Sequence, residues 1–331
     1  MSITIKDIAR KLNISYATVS RALNDRYGVD PHTREKILKA AREMNYLPNA
    51  IARGLVNQQT ETIGLVIPDI TNPFFPEVAL GIEDRAGEEG YSVFLCNTNW
   101  EQDRELRYLS LLREKRVDGI ILAPVSGKTP SNREYDRVEA PLVFVSEARR
   151  GMGKSYVTID NVQGGCIATE HLIRKGYTRI GFFGAAEDEL TSGERYQGYA
   201  KALRDAGMQE REKYVRFGDY RTNTGSRLIT ELIGNGDYPD AVFAVNDLFA
   251  LSVLQGIREA GLRIPEDIAV IGFDDIPFAS FPEIQLTTVA QPKRLMGRMA
   301  ADLLLEQING KPGTRKKEIV LETELIERRT A

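Results

Sequence analysis

An α/β fold is predicted for most of this 331-residue chain: a two-lobed body with parallel sheets, preceded by an all-α head. Three observations predict it. Residues 1–47 carry three short helical periodicities with a tight break between the first two. From residue 62 onward, apolar strand-like runs alternate with amphipathic helical ones, the pattern of a parallel sheet with helices on both faces. After Asp160 that alternation starts afresh, so two similar lobes are expected. The head is assigned to residues 1–47, a connecting segment to 48–60 and the body to 61–331. Within the body, one lobe takes about 61–160 and 290–320 and the other about 161–289.

Composition narrows the class. Hydrophobic residues make up 42% and charged residues 27% of the chain, an ordinary balance for a soluble globular protein. No apolar run approaches the roughly 18 residues of a membrane span. The first residues, MSITIKDIARKLN, place charges where a signal peptide needs its apolar stretch, so a cytoplasmic protein is expected. Cys96 and Cys166 are the only cysteines, and both lie in apolar runs, which fits reduced, buried thiols. The net charge of −3 conceals an asymmetry: residues 1–60 hold ten Lys/Arg against five Asp/Glu, and the remainder 34 against 42. A small basic head on a larger acidic body suggests a polyanionic partner for the head.

In the head, Thr4-x-x-Asp7 has the form of a capping box opening a helix with Ile5, Ile8, Ala9 and Leu12 on one face. Asn13-Ile14-Ser15 breaks it, and Ser15 can cap a second helix, residues 16–24, with Val19, Ala22 and Leu23 inward. Asp30-Pro31 reads as an N-cap followed by proline at the first helical position, opening a third helix with Ile37, Leu38, Ala41 and Met44 inward. Three short helices in this arrangement form a helix-turn-helix. On the second helix Tyr16, Ala17, Ser20 and Arg21 share one outward stripe near the N-terminus. That stripe is either the exposed side of a small bundle or a surface that reads base edges in the major groove. Arg21 could donate two hydrogen bonds to guanine.

The run TIKDIARKLNISYATVSRALN, followed by VDPHTREKILKAAREMNYLPNAIARGL, closely resembles the DNA-binding head and hinge of the lactose/galactose repressor family. The resemblance extends to ETELIERRT near the end of the chain. It implies a transcriptional regulator, most simply a repressor, in which Tyr16, Ala17 and Arg21 read bases. Thr18 and Ser20 then help hold the DNA, and Thr4, Ser15 and Asn24 complete the surface. Pro48 and Asn49 precede a segment, 50–57, of only about two turns, too short for a helix stable alone in water. By the resemblance, two such hinge helices pair in the minor groove and wedge Leu55, with Ala52 and Arg53 beside it, into a base step. The other reading is a plain linker.

In the body, strands are expected at 62–68, 92–97, 119–123, 142–146, 179–184, 214–218, 241–245 and 268–273, and helices at 76–89, 104–115 and 162–175. Ligands of such sheets bind beyond the carboxyl ends of strands. Polar and aromatic residues there are therefore candidates: Asn72, Phe74 and Phe75 after the first strand, and Arg195 at a helix start after Gly184. Asn246, Asp274 and Gln291 follow later strands. Each can also be structural, Asp247 as a helix cap and Phe75 as core. Aromatic faces with Asn, Arg, Asp and Gln suit a sugar.

The body also resembles the periplasmic sugar-binding proteins, whose fold the family's sensor shares. By that resemblance Asn72, Phe74, Arg195, Asn246, Asp274 and Gln291 contact a pentose or hexose, and Tyr220 supplies an aromatic wall. Ser146-Glu147 departs from the Asp-Arg pair of many relatives, which argues against ordinary ribose recognition. Thr191 matches a position used by purine-sensing relatives, although Glu189 stands near their effector-binding arginine; a purine or phospho-metabolite co-repressor is the alternative.

An enzyme is the rival class. The two histidines, His32 and His171, leave a Ser-His-Asp site without an obvious base. There is no Cys/His cluster of metal-ligand spacing, no phosphate loop and no dinucleotide fingerprint at Gly164-Gly165. No cofactor is expected. The body alone would fit a solute-binding receptor, against which the attached head decides. One head reads only a half-site, so a homodimer on a palindromic operator is expected. Effector in the cleft would change the lobe angle and thereby the pairing of the hinge helices.

Overall fold

The computed structural model describes residues 3–24, 27–46, 59–125, 132–147, 153–186, 189–219, 223–310 and 316–331. Ala52, Arg53 and Leu55 of the expected hinge helix, and Tyr220, lie outside them. The chain divides into two compact units, Met1–Thr60 and Glu61–Ala331.

The first unit is built from α1 (Ile5–Leu12), α2 (Tyr16–Leu23) and α3 (Pro31–Glu43). Asp7 reaches back to accept from the Thr4 backbone N–H at 2.9 Å, the reach-back contact of a capping box, and also from the Thr4 hydroxyl at 2.7 Å. Asn13 ends α1 in the left-handed region, and Ser15 Oγ then caps α2 by accepting from the Thr18 N–H at 3.1 Å. Asp30 caps α3 through the Thr33 N–H, with Pro31 in the first turn. Ile8, Ala9, Val19, Ala22, Ile37, Ala40 and Ala41 form the core. One inward assignment is corrected: Leu38 is exposed and Ala40 is buried instead, because helical spacing from Ile37 and Ala41 turns position 40, not 38, toward α1 and α2.

The second unit contains two six-stranded sheets. In the first lie β1 (Thr62–Ile67), β2 (Ser92–Asn97), β3 (Gly119–Leu122), β4 (Leu142–Val145) and β5 (Ser155–Ile159), with α4 (Phe74–Glu88), α5 (Gln102–Glu114) and α6 (Asn132–Asp136) between them. After α7 (Asn161–Arg174) come β6 (Ile180–Gly184), α8 (Leu190–Asp205), β7 (Val215–Phe217), α9 (Thr224–Gly234), β8 (Ala241–Ala244), α10 (Asp247–Glu259), β9 (Ala269–Asp274) and β10 (Thr287–Ala290). The chain closes with α11 (Lys293–Asn309), β11 (Glu318–Leu321) and β12 (Glu324–Ile326). Strand orders are β11-β5-β4-β3-β1-β2 and β12-β10-β9-β8-β6-β7. All pairings are parallel except that of β10 with β12. The chain thus passes between sheets three times, after β5, after β10 and after β11.

In each sheet the order reverses beside the first strand, between β1 and β3 and between β6 and β8. Loops leave the carboxyl ends of these neighbours in opposite directions and open a crevice there. Glycines hold the covering helices tightly together. A Cβ on Gly198 would come 2.1 Å from the Val162 carbonyl oxygen, so α8 seats on α7 only because that side chain is absent. A Cβ on Gly297 would likewise come 2.0 Å from the Val78 carbonyl oxygen, joining α11 to α4.

Candidate functional site

The outer face of α2 presents Tyr16, Ala17 and Arg21 to solvent, with Tyr16 55% exposed. Thr18 and Ser20 are half-buried at the edge of that face. The hydroxyls of Ser15 and Thr18 lie 2.8 Å apart, and Asn24 Nδ2 donates to the Ser20 carbonyl at 2.9 Å. The Arg21 guanidinium belongs to an exposed residue, so it is available to a base edge or a phosphate.

In the body, a cleft with about 480 Å³ of empty space opens where the two switch points meet. Its walls include Asn72, Phe74, Phe75, Ser146, Glu147, Thr191, Arg195, Asn246, Asp274 and Gln291. The structure therefore gathers into one place every expected effector residue that it describes. The reason is topological: these side chains lie at or beyond the ends of β1, β4, β6, β8, β9 and β10. Because each sheet pairs these strands in parallel, their carboxyl ends gather along one edge of each sheet.

Each side chain is fixed by a local rule. Asn72 Oδ1 accepts from the Phe74 N–H at 3.1 Å, starting α4 so that Phe74 and Phe75 meet edge to face with centroids 5.1 Å apart. Asn246 caps α10 by accepting from the Phe249 N–H at 2.9 Å. Asp247 is not the cap. It is fully buried beneath the cleft, accepting from Thr288 Oγ1 at 2.6 Å and from the Ile276 N–H at 2.8 Å. Burial, reinforced by the nearby Asp274, raises the Asp247 pKa well above its ordinary value. Arg195 also differs from expectation: it stands in the second turn of α8, not at its start. Asn161 Oδ1 accepts from its Nε at 3.0 Å and the Val245 carbonyl from Nη1 at 2.6 Å. Asp274 receives Gln291 Nε2 at 2.7 Å and lies 3.8 Å from Arg195 Nη1. Burial raises its pKa, opposed first by the Arg195 charge.

Sequence reasoning missed Trp100 and Pro124 as wall residues, and Glu189, which the resemblance put near an effector-binding position, also stands in the wall. Trp100 follows β2 in a left-handed turn, φ 60° after Asn99 at 57°, and packs edge-on to Phe75 with centroids 6.2 Å apart. A tryptophan at positive φ follows no turn motif. Glu189 caps α8, accepting from the Ser192 N–H at 2.6 Å and from the Thr191 hydroxyl. Among the described residues no cluster of His, Cys, Asp and Glu could hold a metal ion, and no helix is long and apolar enough to cross a membrane. Cys96 and Cys166 are buried and unpaired.

A three-helix head carrying an exposed reading helix, attached to a two-lobed body with a polar cleft, defines a regulator that couples DNA binding to a small molecule. Comparison with known proteins agrees. Residues 4–49 match the bacterial regulatory proteins of the lacI family, and residues 60–328 match the periplasmic binding proteins and sugar binding domain of the LacI family. The ribose operon repressor of Escherichia coli is 37% identical over 329 residues, 99% of each chain. The HTH-type transcriptional repressor PurR of Aliivibrio salmonicida is 35% identical over 315 residues, covering 95% of this chain and 94% of that one. Among solved structures, the lac repressor dimer bound to operator and the anti-inducer ONPF superposes with a TM-score of 0.88 at 27% identity, covering 100% and 99% of the two chains. This chain belongs to the LacI family of bacterial transcriptional regulators.

Proposed function

We propose that this protein is a cytoplasmic, homodimeric repressor whose affinity for a palindromic operator is set by a sugar or sugar derivative held between the lobes. The observation that carries this reading is the convergence of Phe74, Arg195, Asn246, Asp274 and Gln291 on one cleft. Aromatic rings take the C–H face of a sugar, while carboxylate, amide and guanidinium groups take hydroxyls in pairs. The protein acts by binding, with no catalytic step and no cofactor. Tyr16, Ala17 and Arg21 read bases, and Thr4, Ser15, Thr18, Ser20 and Asn24 support that contact. The hinge residues Ala52, Arg53 and Leu55 and the aromatic Tyr220 keep the roles that the family resemblance implies.

The purine reading rests on Thr191 in the cleft wall and on the 35% identity to PurR. Against a phosphorylated ligand, the described wall carries Glu147, Glu189 and Asp274 and one guanidinium, Arg195. Phosphate recognition calls for the opposite balance. The test is a thermal-shift screen of the full chain against neutral sugars, amino sugars, phosphosugars and nucleobases. A cleft ligand raises the midpoint by mass action, by about 2.7 kcal/mol of stability at 100 times its Kd. A response confined to nucleobases or phosphosugars would replace the sugar reading.

A further inference from the structure

The effector cleft has a second layer that its wall does not reveal. Asp274 ends β9 and Asp275 follows it, with φ 113° and 52°, both in the left-handed region that residues other than glycine adopt at some cost. Something must hold this turn. Beneath it is Lys293, itself 6% exposed. Its Nζ donates to the Asp274 carbonyl at 2.7 Å and to the Asp275 carbonyl at 2.6 Å. Glu77 Oε2 lies 3.9 Å from the same ammonium.

These contacts join the two lobes. Lys293 is the first residue of α11, which packs on α4 and against β3, β4 and β5 of the first sheet. The carbonyls it holds end a strand of the second sheet, and Glu77 lies on α4. Two residues earlier on the same crossover, Gln291 grips the Asp274 carboxylate. Asp274 is thus held by its side chain from Gln291 and by its main chain from Lys293.

We propose that Lys293 is a positioning residue for the effector site. It pins the strained Asp274–Asp275 turn from the first lobe, sets where the Asp274 carboxylate stands, and ties that carboxylate to the α4–α11 pair. The inference rests on the cleft being the effector site, but its structural part can be read without any effector. A buried ammonium is costly unless its donors are met, and here two carbonyl dipoles and one nearby carboxylate meet them. Removing it takes a buried donor from both carbonyls and leaves the turn held by Arg328 Nη2 on the Asp275 carboxylate at 2.7 Å and by the Ile276 N–H on Asp247 at 2.8 Å.

The test compares full-length wild type, Lys293→Met and Lys293→Arg by hydrogen exchange with mass spectrometry. In Lys293→Met, amides of residues 275–281 should exchange about tenfold or more faster, while those of β9 and α11 keep their rates. Lys293→Arg, which keeps a charged donor, should recover part of that protection. In parallel, the neutral sugar that raises the wild-type thermal midpoint most is titrated by the fluorescence of Trp100, the only tryptophan and a cleft residue. Its Kd should rise about tenfold or more in Lys293→Met with the same end-point at saturation. Unchanged exchange at 275–281, or equal acceleration through β9 and α11, would overturn the proposal. If no sugar shifts the wild-type midpoint, the sugar reading of the cleft fails, while the exchange result still decides whether Lys293 holds the turn.

Discussion

The guanidinium carbon of Arg195 lies 3.7 Å from the centroid of the Phe273 ring. The ring supports the flat face of the guanidinium, and Asn161 and Val245 take one N–H each. Of the five donors that an arginine carries, three remain in a plane that is already set. Such a side chain can meet two neighbouring hydroxyls without first being ordered, which is the advantage of pre-organisation.

Arg195→Lys should therefore weaken effector binding by about 1.5–3 kcal/mol, since a lysine keeps the charge but loses the planar fork. Calorimetric titration with the best compound from the thermal screen would show it. Equal affinity in the two proteins would remove Arg195 from the ligand's partners.

Arg21→Ala should cost about 1–3 kcal/mol at one base pair of each half-site and relax selectivity there. Selection from random duplexes should yield a palindrome for the wild type and a degenerate position for the variant. Binding should also weaken steeply with added salt, because lysine and arginine contacts release counterions from phosphates. Recovery of no preferred wild-type sequence would contradict the assignment of α2.

Close packing predicts a contrast between two glycines. Gly198→Ala forces a methyl group toward the Val162 carbonyl and should destabilise the protein by about 1–3 kcal/mol. Because α8 carries Thr191 and Arg195, effector affinity should fall with it. Gly234→Ala, at the end of α9 with nothing within 4 Å of the new carbon, should be neutral or stabilise by up to about 1 kcal/mol. Thermal unfolding of the two variants separates these outcomes.

Asp247 sets a pH dependence. Burial raises its pKa in the folded protein, so the folded state holds this proton more tightly than the unfolded chain. The group's contribution to stability is present below the unfolded pKa and is lost as pH rises through the folded one. Asp247→Asn removes that loss. The midpoint difference, variant minus wild type, should become more positive as pH rises from about 4 toward neutrality. A difference that stays constant with pH would mean that Asp247 does not titrate in this way.

Much of this was legible because strand ends are written in local chemistry. Apolar runs such as Thr62–Ile67 and Ala241–Ala244 are short and β-branched or aromatic, and whatever polar residue follows them must face the crevice. That logic reached Asn72, Asn246, Asp274 and Gln291 without coordinates. It did not place Arg195, because helix phase decides which turn of α8 faces the cleft. It missed Trp100 because a left-handed tryptophan has no sequence signature. It also gave Asp247 the capping role of Asn246, since both residue types cap and only the burial of Asp247 separates them. Strands β5, β11 and β12 were not anticipated, and β10 was given no bounds, because the crossings between sheets are set by pairing between distant segments. Lys293 reads in sequence as an ordinary first-turn lysine; only the carbonyls above it show its role.

The central claim is that a small molecule in this cleft controls operator affinity through Asp274. The most direct measurement is a fluorescence-anisotropy titration of the selected operator duplex with wild type and Asp274→Ala, each with and without the screened compound at saturation. Wild-type affinity should change about 5- to 150-fold on adding the compound, a coupling of about 1–3 kcal/mol. Asp274→Ala should keep its compound-free operator affinity and lose the change. An equal response in the two proteins, or no response in wild type at full occupancy of the cleft, would contradict the account.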